Sequence, residues 1–150
     1  MKILAIDPAT HCGWAISNDV YGVWDLSIRK DESQGMKLLR LKSKLKEIYE
    51  RIGIDVIAYE RPASQYNHSI IHQAKLIAII EEFCEENNIE YRAYSAGEIK
   101  KFATGKGNAN KDMMINHAVI KLGYKGNNDN EADALWILNL LKRDLGMNKP

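Results

Sequence analysis

Hydrophobic positions along the chain change period several times, and each change marks an element. Ile3-Leu4-Ala5-Ile6 is a short continuous apolar run, β-branched at both ends, and reads as a buried strand. Asp7 ends it, and Pro8 stops the ladder because it has no N–H to give. Gly13 lets the chain turn back into Trp14-Ala15-Ile16, and Tyr21-Gly22-Val23-Trp24-Asp25-Leu26-Ser27 follows a turn at Ser17-Asn18-Asp19. This predicts a three-stranded antiparallel meander over the first 28 residues. Leu38, Leu41, Leu45, Ile48 and Ile52 then recur at helical spacing, one apolar stripe that Gly53 terminates. The opposite face carries Lys37, Arg40, Lys42, Lys44 and Lys46, which predicts a solvated face before it predicts a DNA contact.

Asp55-Val56-Ile57-Ala58-Tyr59-Glu60 reads as the next strand and repeats the opening pattern, an apolar strand closed by a carboxylate with a proline close behind. From Ile70 to Phe83 the apolar positions run most of the way round a helix, as expected for one deeply buried or shared with a partner subunit. Ile89 to Tyr94 alternates as a strand. Ser95-Ala96-Gly97-Glu98 has the spacing of a capping box and predicts a short helix. Thr104 to Asn110 reads as a loop, Lys111 to Leu122 as a helix, and a last helix runs from near Asp129 to Arg143. The order βββαβα β and then helices predicts an α/β fold with a mixed five-stranded sheet flanked by helices.

At 150 residues the chain is expected to form one domain, residues 1–150. A formal net charge of +1 says nothing about an anionic partner, so only local clustering can. Cys12 and Cys84 lie far apart without a Cys-x-x-Cys, and no secretion signal or membrane-length apolar run is present, which predicts free thiols in a cytoplasmic protein. Trp14, Trp24 and Trp136 read as core, and His11, His117 and both cysteines as structural. His68 and His72 lie four apart at a helix start without a third ligand in register, so a surface or substrate-facing role is favoured over metal binding.

The candidate chemistry sits in the carboxylates. Asp7 and Glu60 end their strands in the same sense, and a charge fixed there needs a partner to offset its desolvation. The alternative for Asp7 is a turn aspartate bonding its own backbone. Asp129 and Asp133 are four apart and share a helical face, and Asp133 stands in an otherwise apolar run, Ala132 to Leu138. Asp129 could instead be a helix-start residue favoured by the macrodipole. Hard oxygen ligands without His or Cys suit Mg²⁺ or Mn²⁺, and two such ions about 3.5–4 Å apart suit phosphodiester hydrolysis. Lys100, Lys101, Lys106 and Lys111 against Glu98 add a basic loop suited to a phosphate backbone.

These stretches, taken together and in order, resemble the RuvC family of Holliday-junction resolvases within the RNase H-like superfamily. The matching segments are Ile3 to Pro8 with Gly13, Ala58-Tyr59-Glu60, Glu98 through Lys111, and Glu131-Ala132-Asp133-Ala134-Leu135. The resemblance implies an RNase H-like fold and a structure-selective endonuclease with two metal ions per site. It implies cutting of four-way junctions and flaps as a homodimer, leaving 5′-phosphate and 3′-hydroxyl ends. It assigns Asp7, Glu60 and Asp133 as metal-holding acids. Asp129 takes the place of the fourth, because Asn130 stands three back from Asp133. Lys111 matches the basic residue near the scissile phosphate and Lys100 a second basic residue on the DNA side. Family dimers pair through the helix after the Glu strand, here Ile70 to Phe83. Resolvases of the family often carry an aromatic wedge just after the Glu; this chain has Arg61-Pro62-Ala63 there, with Tyr66 or His68 as replacements. The short form is shared with phage-type members. Competing expectations are a catalytically idle branched-DNA binder and a ribonuclease acting on RNA–DNA hybrids. The first phosphate loop of actin-like ATPases also resembles residues 7–13, but those enzymes need two such domains and the chain is too short for both.

Overall fold

The computed structural model describes residues 1–62 and 68–147. Five strands form one mixed sheet: β1 (Ile3–Asp7), β2 (His11–Ser17), β3 (Val20–Asp25), β4 (Val56–Glu60) and β5 (Glu90–Tyr94). Their order across the sheet is β3-β2-β1-β4-β5. The β1–β2 and β2–β3 pairs are antiparallel, whereas β1–β4 and β4–β5 are parallel. The parallel pairs follow from the crossover helices α1 (Gly35–Ile52) and α2 (His68–Asn87), which return the chain to the same sheet end. Three further helices close the chain: α3 (Ala96–Thr104), α4 (Lys111–Leu122) and α5 (Asp129–Asp144).

Strand alternation sorts the core into two layers. Leu4, Ile6, Ile57 and Tyr59 face one way and pack with Leu41, Leu45, Leu76 and Ile80 of α1 and α2. Ile3, Ala5, Val56 and Ala58 face the other way and pack with α3, α4 and α5. Central positions of this second face are small: Ala5, Ala15 and Ala58 are fully buried there beneath Ala132, Ala134 and Leu135 of α5. Small side chains on both surfaces let α5 lie close against β1 and β2.

The helix termini follow their local signals. Ser95 and Glu98 make the reciprocal capping box at the start of α3. Asn110 and Asn128 cap α4 and α5 by accepting from the N–H groups of Met113 and Glu131. Gly105 and Gly123 close α3 and α4 with positive φ.

Several expectations are corrected by packing. The α1 stripe fades at its end: Leu41 and Leu45 are buried, whereas Ile52 is exposed beyond the sheet. Helix α2 is longer than its apolar run at both ends, and it is not buried all round, because Ala74 and Ala78 face outward. Trp14 is only partly buried; it stacks on the buried Trp24 with ring centroids 5.6 Å apart, on the sheet face away from α5. His11 is exposed on the sheet margin, 3.8 Å from Asp25. Cys12 and Cys84 are free and buried. Among the described residues, no helix is long and apolar enough to cross a membrane.

Candidate active site

The parallel register sets the first two acids side by side. Ile6 pairs with Tyr59, so Asp7 and Glu60 occupy the next position on neighbouring strands. Strand parity then decides which way they point. Asp7 follows Ile3 and Ala5, and Glu60 follows Val56 and Ala58, all on the α5 side of the sheet. Asp133 stands on the first turns of α5 with Asp129 one turn before it.

The N-terminal turn of α5 is held at the sheet by two devices. One is Gly13, the register partner of Asp7, over which the Asn130 backbone lies. The other is Tyr124, buried at the α4–α5 connection. Its hydroxyl donates to the Glu131 carboxylate (2.7 Å), lies 3.1 Å from the Asn128 carbonyl and accepts from the Asn128 N–H (2.9 Å). Trp136 ties α5 back to α4 through its indole N–H to the Met114 carbonyl at 3.0 Å. Sequence reasoning did not single out Tyr124, since a tyrosine after a helix-ending glycine carries no signal until its partners are known.

The charges show that the acids share one neighbourhood. Asp7 is 8 % exposed, and its carboxyl is held well above the usual carboxylate range, by burial first and then by Asp133, Glu60 and Asp129. Asp133 is pushed up to about 7, by burial first and then by Glu60 and Asp129, with Lys100 and Lys111 opposing. Glu60 is raised by burial and eased by the Gln73 side chain and Lys100. Acids that raise one another's proton affinity in a desolvated place are a site whose repulsion a cation relieves. The donor set, four carboxylates without sulfur or imidazole, fits a hard divalent ion. Among the described residues, no group of three or more acid, histidine or cysteine side chains is yet closed around one ion position.

The remaining candidates divide clearly. Lys111 places its ammonium 3.5 Å from Asp129 while staying largely exposed, and Lys100 lies close enough to act on both Glu60 and Asp133. Lys101 and Lys106 are exposed at the end of α3 and in the loop after it, without an ion pair among the described residues. Arg61 pairs instead with Glu98 at 3.5 Å, and its N–H extends the β4–β5 ladder to the Tyr94 carbonyl. His68 is exposed at the start of α2, and Tyr66 lies outside the described residues. An open groove of about 370 Å³ runs from Asp7 and Glu60 past Pro8, Ala9 and Thr10 to Ser69, His72 and Gln73 of α2.

A family model described as crossover junction endodeoxyribonuclease RuvC matches residues 3–138. A crossover junction endodeoxyribonuclease RuvC of Brachyspira hyodysenteriae is 29% identical over 145 residues, which cover 91% of this chain and 91% of that protein. The Corynebacterium glutamicum protein of the same name is 28% identical over 146 residues, covering 90% of this chain and 66% of its own length. The solved structure of Thermus thermophilus RuvC in complex with Holliday junction substrate shares the fold, with a TM-score of 0.74, 21% identity, and coverage of 100% of this chain and 99% of that one.

Proposed function

Because the chain belongs to the RuvC family of crossover junction endodeoxyribonucleases, we propose that it is a structure-selective nuclease that cuts Holliday junctions and other branched DNA by phosphodiester hydrolysis. The observation that supports this most directly is the desolvated group of acids at the shared end of β1 and β4, with lysines set against it. Asp7, Glu60, Asp129 and Asp133 would hold Mg²⁺ or Mn²⁺, two ions per site. Such ions, when bound, supply Lewis acidity and a lowered proton affinity for water. Lys111 meets charge developing on the phosphoryl oxygens. Lys100 offsets the negative charge of Glu60 and Asp133 when no cation is present and faces the phosphate when the acids are neutralised. Lys101, Lys106, Arg61, His68 and Tyr66 contact DNA farther out. The products are 5′-phosphate and 3′-hydroxyl ends.

The working form is a homodimer in which each subunit nicks one strand, joined through the Ile70–Phe83 stretch of α2. The outward Ala74 and Ala78 support that choice, since small side chains permit close helix approach.

The test is strand cleavage of labelled four-way junction, flap, linear duplex and RNA–DNA hybrid in Mg²⁺, beside Asp7→Asn. Cutting of the branched substrates that is lost in Asp7→Asn supports the nuclease. Junction binding without cutting in Mg²⁺ or Mn²⁺ leaves a binding module instead, and preferential cutting of the hybrid leaves a ribonuclease.

A further inference from the structure

Helix α1 carries a row of cations, and among the described residues all but one of them pair with a carboxylate. Arg40 pairs with Glu32 at 2.5 Å, Lys42 with Glu82 and Glu86 at 3.2 and 3.3 Å, Lys44 with Glu47 at 4.0 Å, and Lys46 with Glu50 at 4.0 Å. Arg51 pairs with Glu47 at 3.7 Å. Lys37, on the first turn, has no acidic partner among the described residues. Its ammonium is turned instead to the Thr10 hydroxyl at 3.4 Å. His72 Nε2 lies 3.4 Å from the same hydroxyl. Thr10 and His72 both line the groove that opens from Asp7 and Glu60. Lys75, one turn along α2 from His72, likewise makes no ion pair among the described residues. After burial, the charges of Lys37 and Lys75 lower the His72 proton affinity.

We propose that Thr10, Lys37 and His72 form a second phosphate position, which holds a backbone phosphate of the cut DNA strand next to the one being hydrolysed. This rests on the nuclease function proposed above. An ammonium, a hydroxyl and an imidazole meet at the margin of an acid-lined groove. Among the described residues none of the three is committed to a carboxylate, and each can donate to a phosphate oxygen. The location is distinctive. Lys100 and Lys111 approach the acids from α3 and α4, on the α5 side of the sheet, whereas Lys37 and His72 stand on α1 and α2, on the other side. A strand crossing the end of the sheet therefore meets donors on both sides of the acids. Two anchored phosphates fix the direction of the strand, as one does not, and so hold the bond to be cut in register.

Junction binding in EDTA across a salt series, with single methylphosphonate replacements along the cut strand, tests the position in the full chain. Lys37→Gln and Thr10→Val are compared with Lys44→Gln, which removes an ion-paired lysine from the same helix. Thermal melts report whether each variant folds. Lys37→Gln is expected to weaken binding several-fold and to reduce the salt slope by about 0.9. One methylphosphonate adjacent to the cut should weaken wild type but no longer affect Lys37→Gln or Thr10→Val. A folded Lys37→Gln with the affinity, slope and methylphosphonate profile of Lys44→Gln overturns the proposal while wild-type cutting still stands. Thr10→Val keeps the charge and reads the same phosphate if Lys37→Gln does not fold. Wild type that neither binds nor cuts the junction removes the underlying function, and this position with it.

Discussion

The backbone carbonyl oxygen of Asn130 lies 2.0 Å from where a Cβ on residue 13 would be. Gly13 is thus the point at which the first turn of α5 touches the sheet, directly opposite Asp7 in the β1–β2 register. Backbone atoms cannot swing aside as a flexible side chain does, so Gly13→Ala must push Asn130, and with it Asp129 and Asp133, away from Asp7. Overpacking of this kind costs about 1–3 kcal/mol. Urea denaturation should show that loss, and junction cleavage should fall much further than the fraction folded, because the acids are displaced in the molecules that do fold.

Tyr124 holds the same turn from its other side. Tyr124→Phe keeps the ring packed against Tyr21, 5.3 Å away centroid to centroid, and removes the hydroxyl that serves Asn128 and Glu131. The expected cost is about 0.5–1.5 kcal/mol, that of an ordinary hydrogen bond, since Asn128 and Glu131 are only partly buried. A lowered kcat with little change in EDTA-measured junction affinity would identify the hydroxyl as positioning the acids; unchanged kcat would restrict it to stability.

The raised carboxyls predict how stability follows pH. Unfolded aspartates release their protons near pH 4, whereas folded Asp133 holds its own to about 7 and Asp7 is raised in the same direction. Between those values the folded chain carries the extra protons, so stability in EDTA should fall as pH rises through the window. Mg²⁺ favours the ionised acids and should raise the melting temperature more at pH 8 than at pH 5. Mg²⁺ affinity should therefore tighten as pH rises through the same window. Asp133→Asn should stabilise the metal-free protein at pH 8 by about 0.5–2 kcal/mol while abolishing cleavage. A melting temperature that rises with pH in EDTA would contradict the account.

Lys111 pairs with Asp129 from an exposed position, so the contact contributes little to stability. Lys111→Ala should melt within a degree or so of wild type, yet slow single-turnover cleavage by roughly 10²-fold. Equal losses in binding and in cleavage would instead make it a simple backbone contact.

The outward face of α2 offers Ala78 at its middle. Ala78→Arg places a long charged side chain where a second subunit would pack, and sedimentation should shift from dimer to monomer with the melt of the isolated chain little altered. A wild-type monomer at all concentrations would move the interface away from α2 or remove it.

Much of this protein was already legible in the order of its residues. Strand and helix periods predicted the mixed sheet, since a local repeat of 2 or 3.6 is enough to tell which side of a segment is buried. The capping box at Ser95 and the helix stop at Gly53 are local for the same reason. The acids stood out because Asp7 and Glu60 each end an apolar strand and Asp133 interrupts an apolar helix, places where charge is costly and so conspicuous. What the sequence could not carry was anything that depends on distance across the fold. That Ile6 pairs with Tyr59, and so sets Asp7 beside Glu60, is a register decided by two sheet faces packing at once. That Gly13 is small because Asn130 lies on it, or that Tyr124 anchors α5, required elements far apart in the chain to be brought together. The cations of α1 illustrate the difference most plainly. In sequence Lys37 is one of a uniform basic row, and only the folded arrangement separates it from the rest. The carboxylates that neutralise its neighbours come from Glu32, from α1 itself and from α2, while Lys37, at the first turn, is left facing Thr10 at the end of the sheet where the acids are.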